Sequence, residues 1–270
     1  MAGRPRRGGG RVRARDAGAG RSGAAPRRAA GTGTDAPHAA AAEADPPHAV
    51  VTGASSGIGR AVTERLLAAG WRVTALSRRP AGAAGDGLRW VAADLADLDR
   101  IPAAVAGVER ADAVVHAAGL QRSARLGALS AADGAAMWQV HVAAAEVLVD
   151  ALVDRVPDGG RVVLVGSRTM TGVPGKSQYA ATKAALTALA RSWAAELVAR
   201  HVTVNVVAPG PTDTPMLHDP ARAATPPRLP PMGRLVSPGE VAGTVAFLLG
   251  PDARSITGQT LVVCAGTSLG

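Results

Sequence analysis

The sequence has almost no cysteine and very few aromatic residues. Among its 270 residues there is one cysteine, Cys264, and aromatic side chains make up 2% of the total. A single cysteine excludes an internal disulfide and is typical of proteins from a reducing compartment. The single cysteine therefore leads us to expect a cytoplasmic protein. With so few aromatic rings, the core has to be built from Ala, Val and Leu.

Long apolar runs are also absent. The sequence contains no run of about 18 apolar residues, and its first residues lack the apolar segment of a signal peptide. We therefore expect no membrane span and no membrane partner. Hydrophobic residues still make up 47% of the chain, and its length suffices for one large domain with a substantial core.

The net charge of +9 is concentrated at the start of the chain. Residues 1–48 hold nine arginines and four acidic residues, which leaves a modest +4 for the remainder. Residues 1–46 are rich in Gly, Ala, Arg and Pro and cannot bury enough apolar area to offset the entropy of ordering. We predict a disordered tail over 1–46 and one folded domain over 47–270. The tail could bind nucleic acid or be a solvated extension, and its lack of interleaved aromatic residues favours the extension.

Strand and helix patterns alternate from residue 48 onward. Apolar runs near 48–52, 71–76, 88–91, 113–116, 161–165, 202–207 and 260–264 predict about seven strands. Helical patterns lie near 60–69, 97–107, 131–153, 179–199 and 238–249. The strands read as apolar throughout, which is typical of a parallel sheet covered on both faces. We predict an α/β fold: a Rossmann-type, doubly wound parallel sheet with helices on both faces.

Three glycines, at positions 53, 57 and 59, lie between the first strand and the first helix. Glycine permits a tight turn and a close approach of backbone to phosphate, and a helix N-terminus adds N–H donors and a positive dipole end. A glycine-rich loop alone is a weak signal, but this strand–turn–helix setting favours a dinucleotide site. The candidate contacts in the loop are Gly53, Ser55, Ser56, Gly57, Ile58 and Gly59.

The end of the second strand distinguishes between the two nicotinamide cofactors. An acidic residue there would bind the ribose 2′-hydroxyl of NAD, whereas this chain has Ser77, Arg78 and Arg79. The two guanidinium groups could bind a 2′-phosphate bidentately, or they could be solvated loop residues. Their position favours the phosphate, and we predict NADP(H) over NAD(H).

Two further strand ends carry candidate cofactor contacts. Asp94 and Leu95 follow the third strand, where Asp94 could either contact the adenine or cap a helix. The fourth strand closes with His116, Ala117, Ala118 and Gly119. The small residues of this second group would let the cofactor ribose lie close to the backbone.

One hydroxyl, one phenol and one ammonium are expected to converge at the carboxyl edge of the sheet. Tyr179 is the only tyrosine, and Lys183, four residues later, shares its helix face. Ser167 lies twelve residues before Tyr179, at the end of the fifth strand. An unperturbed phenol has a pKa of about 10, and a nearby ammonium lowers it. Such a pair can exchange a proton with a substrate oxygen.

Taken in order, these motifs resemble the short-chain dehydrogenase/reductase family, most closely its 3-oxoacyl-(acyl-carrier-protein) reductases and related ketoreductases. They run in the family's order from residue 48 to the C-terminus. The matching residues are Thr52 to Gly59, Asp94, Ala118, Gly119, Ser167, Tyr179, Lys183, Asn205, Pro209, Gly210 and Thr212. The resemblance implies an oxidoreductase that transfers a hydride reversibly between NADP(H) and a carbonyl or alcohol group.

The resemblance also implies a role for each matching residue. Tyr179 would be the general acid or base, Lys183 would bind the nicotinamide ribose and lower the pKa of Tyr179, and Ser167 would hold the substrate oxygen. The wall beside the nicotinamide and pyrophosphate would be formed by Pro209, Gly210, Thr212 and Thr214. Proteins of this family generally form tetramers through their two long helices, which implies a homotetramer.

Two histidines stand where the family usually has asparagine. One is His116; the other is His141 on the long helix, at the place of an asparagine that holds a water linking the lysine to solvent. Because histidine both donates and accepts hydrogen bonds, His141 could serve this relay as a fourth catalytic residue. Alternatively, His141 only packs in the helix and the relay is impaired. The chain would then be a catalytically impaired NADP-binding subunit or sensor.

A smaller departure concerns the spacing between serine and tyrosine, which is twelve residues here and more often thirteen in the family. Ser167 remains the best candidate for the substrate hydroxyl, and Thr169 is the fallback. The proline-rich segment 211–232 is expected to form a flap over the substrate, and its lack of a charged cluster disfavours a large anionic substrate there. We expect a small-molecule or carrier-bound carbonyl substrate, no nucleic acid and no metal.

Overall fold

The structure is a computed structural model that describes residues 45–80, 86–220 and 228–269. Residues 1–44 of the predicted tail and residues 221–227 of the predicted flap lie outside the described residues. The predicted domain lies within one compact unit, Asp45–Gly270.

Strands and helices alternate along the described residues. The strands are β1 (His48–Thr52), β2 (Arg72–Ser77), β3 (Leu88–Ala92), β4 (Ala113–His116), β5 (Arg161–Val165), β6 (Thr203–Pro209) and β7 (Thr260–Val263). The α-helices are α1 (Gly57–Ala68), α2 (Ile101–Ala104), α3 (Ala131–Trp138), α4 (Ala144–Leu152), α5 (Ser177–Leu197) and α6 (Pro238–Leu249). The second predicted helix is much shorter than the pattern suggested, with Pro102 in its first turn.

All seven strands of the described fold form one parallel sheet in the order β3-β2-β1-β4-β5-β6-β7. The order reverses between β1 and β4, where Thr52 pairs with His116. In open α/β sheets, ligands bind at the carboxyl edge beside such a switch point. The predicted fold class is confirmed, and the sheet places the glycine-rich turn at this edge.

Apolar side chains fill both faces of the sheet. In β1, Val50 packs on one face, while Ala49 and Val51 pack on the other, as the alternation of a strand requires. The first face is covered by α4 and α5, and the second by α1 and α6. The edge strands β3 and β7 are only half-buried, which corrects the expectation that every strand is buried on both faces.

The long helix predicted over 131–153 is interrupted by a π-helical turn, Gln139–Ala143, between α3 and α4. This turn lies against the carboxyl edge of the sheet and carries His141. Within the described residues, only the stretch Ala131–Arg155 is long and apolar enough to cross a membrane by length and composition. It packs into the sheet through Leu148 and Leu152, as a core helix does.

Candidate active site

Tyr179 and Lys183 lie on the first turns of α5 and face the carboxyl edge of the sheet. Both are buried, with exposed fractions of 7% and 4%. The Lys183 Nζ atom lies 5.9 Å from the centre of the Tyr179 ring and donates a hydrogen bond of 2.9 Å to the Val165 carbonyl oxygen. The strand β5 thus fixes the amine beside the phenol, as the spacing of four residues predicted.

Burial lowers the pKa of Lys183 from its usual range to about 7. A buried ammonium loses hydration, so its proton is held less tightly than in water. An amine that titrates near neutrality can exchange a proton with a neighbouring phenol or with solvent. The site therefore has a proton donor and acceptor poised near physiological pH.

Ser167 begins a short 3₁₀ turn directly after β5. Its hydroxyl accepts a hydrogen bond of 3.2 Å from the Thr169 N–H and lies 2.9 Å from the Thr169 Oγ1 atom. The preceding Gly166 passes close to β6, where an added Cβ would lie 2.6 Å from a Val206 methyl group. Ser167, Thr169 and Tyr179 line one cleft of about 880 Å³, so the spacing of twelve residues does not separate them.

The glycine-rich turn has the backbone geometry that its sequence predicts. Gly53 and Gly57 have φ angles of 68° and 54°, in the left-handed region that glycine favours. A Cβ added to Gly59 would lie 2.4 Å from the Gly53 carbonyl oxygen, so this contact between turn and helix requires glycine. The Ser56 side chain does not cap α1, which leaves N–H groups of its first turn available to a phosphate.

His116 lies behind the cleft rather than in it. Thr52 Oγ1 accepts the Ala117 and Ala118 N–H groups at 3.1 Å each and donates its own proton to His116 Nδ1, also at 3.1 Å. His116 Nε2 donates to the Val140 carbonyl oxygen at 3.1 Å. Because the ring is fully buried, the His116 side chain is not accessible to a cofactor, and its predicted cofactor contact stays a prediction for its backbone. Its neighbours Ala117, Ala118 and Gly119 do line the cleft.

His141 is also fully buried, and both of its ring nitrogens are occupied. The Leu120 N–H donates to His141 Nε2 at 3.0 Å, so the ring proton lies on Nδ1, which donates to Thr182 Oγ1 at 2.8 Å. The Thr182 hydroxyl in turn donates to the Tyr179 carbonyl oxygen at 2.8 Å. The His141 ring contacts the Tyr179 ring edge-on, with centroids 5.5 Å apart.

Burial holds the pKa of both histidines low. Desolvation and the charge of Lys183 lower the pKa of His116 to about 3. The same two causes, together with His116, hold the pKa of His141 well below its usual range. Both rings are therefore neutral near pH 7, with fixed tautomers. The arrangement favours a bracing role for His141 over direct proton transfer.

The predicted 2′-phosphate contacts differ in exposure. Arg78 and Arg79 are exposed at the end of β2. The Ser77 hydroxyl is buried and donates to the Arg79 carbonyl oxygen at 2.6 Å. It also accepts the indole N–H of Trp90 at 3.1 Å. Ser77 thus shapes the loop that presents the two arginines, and its hydroxyl is already engaged.

Asp94 and Leu95 occupy a turn after β3. The Asp94 carboxylate accepts the Ala96 N–H at 3.0 Å, so it closes a local turn rather than capping a helix. Leu95 is buried among the side chains under α2 and α4, which leaves it only its backbone for contact with an adenine. Since the Leu95 side chain packs in the core, the predicted contact of Leu95 with the adenine stays a prediction for its backbone.

The opposite wall of the cleft follows β6. A Cβ added to Gly210 would lie 2.8 Å from the Cα atom of Cys264, so the chain passes here only as glycine. Asn205 does not reach the cleft, since it holds the turn before β7 through the Ile256 carbonyl oxygen and the Gln259 N–H. The predicted residues of this wall that line the cleft are Pro209, Gly210, Thr212 and Thr214.

Several basic residues that the sequence did not single out also line the cleft. Arg125, Arg168, Lys176 and Arg228 come from loops on three sides of it. The proline-rich flap carries only one of them, so inspecting the flap alone could not reveal the group. A search of the sequence for basic residues in every loop that follows a strand would have found these four residues.

A parallel sheet of this order, with a glycine-rich turn and a hydroxyl, a phenol and an amine at its carboxyl edge, defines a Rossmann-type oxidoreductase. The chain belongs to the short-chain dehydrogenase/reductase family. Residues 53–268 match the family model described as enoyl-(acyl carrier protein) reductase.

Relatives and solved structures agree with this assignment. The chain is 35% identical over 236 residues to the 3-oxoacyl-[acyl-carrier-protein] reductase of Vibrio harveyi, covering 80% of this chain and 95% of the relative. A blue fluorescent protein from a metagenomic library, solved with NADPH, is 32% identical with a TM-score of 0.74, covering 82% and 98% of the two chains. A 3-ketoacyl-(acyl-carrier-protein) reductase of Brucella melitensis, solved with NADH, is 27% identical with a TM-score of 0.72 and the same coverage.

Proposed function

We propose that the chain is an NADP(H)-dependent ketoreductase of the 3-oxoacyl type. The observation that carries this proposal is the convergence of Ser167, Tyr179 and Lys183 in one cleft beside the glycine-rich turn. A bound nicotinamide cofactor would supply or accept the hydride. The residues of the chain then have to hold the carbonyl oxygen and move one proton.

In the reductive direction, the Ser167 hydroxyl holds the substrate carbonyl oxygen and Tyr179 delivers a proton to it. Lys183 binds the nicotinamide ribose and resupplies the proton, a role supported by its pKa near 7 and its place beside the phenol. In the oxidative direction the same groups take up the proton from the alcohol.

His141 acts in this proposal as a positioning residue. It joins the loop after β4, through Leu120, to the first turns of α5, through Thr182. Asparagine, the residue usual in this family, could also join two backbone segments, but its side chain is shorter than that of histidine. The catalytically impaired subunit weighed from the sequence loses its motivation, because His141 binds Leu120 and Thr182, and the Thr182 hydroxyl in turn binds the Tyr179 carbonyl oxygen.

Preference for NADP(H) rests on Arg78 and Arg79, which are exposed at the end of β2 and have no acidic partner among the described residues. A 2′-phosphate would give two guanidinium groups a bidentate ligand. The relatives do not distinguish the cofactors, since one neighbour was solved with NADPH and another with NADH.

We also propose a cytoplasmic homotetramer with one enzymatic domain over 47–270. A groove between α4 and α5 is lined by the partly buried side chains of Val147, Val153, Trp193 and Leu197, which supports pairing of these two helices with a second copy. The single cysteine fits a reducing compartment.

The direct test is NADPH consumption by the full chain with a panel of β-ketoacyl thioesters, aromatic ketones, quinones and enoyl thioesters. Turnover of at least one carbonyl is expected, and Tyr179→Phe should lower it by about 100-fold or more, as loss of a general acid does. Fluorescence titration with NADPH checks that the variant still binds cofactor. Reduction of enoyl thioesters alone, or no turnover with any carbonyl, would contradict the proposal.

A further inference from the structure

The charge of the cleft is entirely of one sign. Among the described residues that line it, five side chains are basic and none is Asp or Glu. The basic residues are Arg125, Arg168, Lys176, Lys183 and Arg228. An unbalanced set of this size at the mouth of a cleft attracts anionic ligands.

The proposed chemistry and cofactor account for only part of this charge. Lys183 serves Tyr179, and the 2′-phosphate is assigned to Arg78 and Arg79, neither of which lines the cleft. The pyrophosphate is assigned to the glycine-rich turn at the N-terminus of α1. The arginines at 125, 168 and 228, here called the arginine rim, have no role in the proposed reaction.

The arginine rim has no counter-charge within the described chain. Its three guanidinium groups form no ion pair or side-chain hydrogen bond there, and the Nε atom of Arg168 is buried without a hydrogen-bond partner. Arg122 provides the contrast three residues before Arg125, since it lies 3.8 Å from both Asp133 and Asp219. The chain thus pairs one nearby arginine with two acids while leaving the rim unpaired.

The rim lies on the substrate side of the cleft. Arg168 directly follows Ser167, the residue proposed to hold the substrate oxygen, and is half-buried. Arg125 and Arg228 are exposed and stand on two other loops, after β4 and after β6. A ligand that places a carbonyl against Ser167 would therefore present its remaining atoms to guanidinium groups from three segments.

We propose that the arginine rim binds an anionic group, a carboxylate or a phosphate, carried by the carbonyl substrate. Guanidinium groups bind both kinds of oxyanion bidentately, and no acidic residue competes for them among the described residues of the lining. This inference rests on the proposed ketoreductase function and adds the charge of its substrate. It replaces the expectation, drawn from the flap alone, that a large anionic substrate is disfavoured.

Two matched pairs of substrates test the inference and separate the two sources of negative charge. The first pair is acetoacetate and its methyl ester, and the second is acetoacetyl-pantetheine with and without the terminal phosphate. In the wild type, kcat/KM should favour the anionic member of at least one pair by about tenfold, equivalent to about 1.4 kcal/mol. The pair that responds identifies a nearby carboxylate or a more distant phosphate. Higher salt should reduce the preference, because the rim is partly exposed to solvent.

Charge-neutralising variants then connect the preference to the rim. Arg168→Gln, and separately Arg125→Gln, should lower the ratio of kcat/KM for anionic over neutral substrate by about three- to tenfold, a range typical of the net contribution of one hydrogen bond. Arg254→Gln, which removes an exposed arginine outside the cleft, should leave the ratio unchanged. An equal preference for both members of each pair in the wild type, or an unchanged ratio in both rim variants, would overturn the inference.

The neutral substrates keep the two proposals distinguishable. Reduction of the methyl ester or of the unphosphorylated thioester supports the ketoreductase whatever the rim does. If neutral ketones are reduced without any anion preference, only the inference about the rim fails. If no carbonyl is reduced with either cofactor, the proposed function fails and the inference fails with it.

Discussion

Lys183 is buried at the candidate active site, although burial costs its ammonium group the hydration that it has in water. Its amine is buried and keeps one hydrogen bond, to the Val165 carbonyl oxygen, with the Tyr179 ring nearby. A buried cation without a counter-charge lowers the stability of the fold, because it has lost its hydration. Groups of this kind occur mainly at functional sites. The lowered pKa of Lys183 therefore predicts a trade of stability for activity at this single residue.

Lys183→Met should abolish turnover and stabilise the cofactor-free protein at low pH. The pKa of Lys183 is about 7 in the folded protein and 10.5 in the unfolded chain. Between these two pH values the unfolded chain binds one more proton than the folded protein, so the stability of the wild type rises with pH. The methionine variant lacks this dependence. The unfolding free energy of the variant should exceed that of the wild type by the largest amount near pH 6. This difference should be smaller by about 2–3 kcal/mol near pH 9, at 1.36 kcal/mol per pKa unit. Urea unfolding at both pH values measures it, and a difference independent of pH would contradict the burial argument.

Arg78 is one of the two residues on which the proposed preference for NADP(H) rests. Arg78→Asp removes one guanidinium from the proposed 2′-phosphate site and places a carboxylate where a ribose hydroxyl could bind it. The ratio of kcat/KM for NADPH over NADH should fall by about 10- to 100-fold, a range consistent with about 1.5–3 kcal/mol for a charged hydrogen bond. Arg254→Asp makes the same charge change away from the site and should leave the ratio as in the wild type. A wild type that uses NADH as well as NADPH would contradict the assignment.

At the scale of elements, the π-helical turn between α3 and α4 brings two histidines into one network. His116 holds the turn through the Val140 carbonyl oxygen, and His141 leaves the same turn to hold Leu120 and Thr182. The turn is thereby fastened to β1, to the loop after β4 and to α5. Replacing His141 therefore changes the support of Tyr179, both through Thr182 and through the contact between the two rings.

Substitution of His141 should separate bracing from proton transfer. His141→Ala leaves the Leu120 N–H unsatisfied and opens a cavity, so turnover should fall by about tenfold and stability by about 2–4 kcal/mol. His141→Asn keeps a donor and an acceptor on a shorter side chain and should lie between alanine and the wild type. Because the pKa of the buried ring is far below its usual range, the wild-type pH–rate profile should show no histidine ionisation near 6.5.

Trp138→Ala, at the half-exposed last residue of the adjoining helix α3, is the control and should change turnover little. Wild-type turnover in His141→Ala would remove the residue from the mechanism. A rate ionisation near 6.5 that disappears in His141→Asn would instead assign His141 to the proton relay.

The sequence predicted those elements whose signals are local. The first-turn proline and capping box of α6, formed by Ser237 and Glu240, fix that helix at the predicted residues. The break in the long helix was not predicted, because it depends on a contact between His116 and Val140, 24 residues apart. The arginine rim was missed for a similar reason, since only the folded sheet brings its three loops together.

At the scale of the whole molecule, the basic excess divides between the tail and the domain. Residues 1–48 carry more than half of the net charge of +9, while the rim concentrates positive charge at one cleft of the domain. These two features have separate consequences. The charge of the tail bears on association with polyanions such as DNA, and the charge of the rim bears on the proposed preference for an anionic substrate.

Deletion of residues 1–46 should leave turnover, cofactor preference and oligomeric state unchanged, because the proposed domain begins at residue 47. Kinetics and light scattering after size-exclusion chromatography measure these quantities for both chains. Salt-dependent binding to a mixed-sequence DNA duplex should be weak in the full chain and weaker in the shortened one. Loss of activity or of the tetramer on deletion would contradict the proposed boundary.

The scarcity of tyrosine has a practical consequence for the proposed mechanism. Because Tyr179 is the only phenol in the chain, a change in ultraviolet absorbance between phenol and phenolate comes from the proposed catalytic acid and from no other side chain. The ionisation of that group can therefore be followed in the unmodified protein, with and without cofactor, and without isotopic or chemical labels. The protein thus carries its own spectroscopic probe at the atom of the proposed proton transfer.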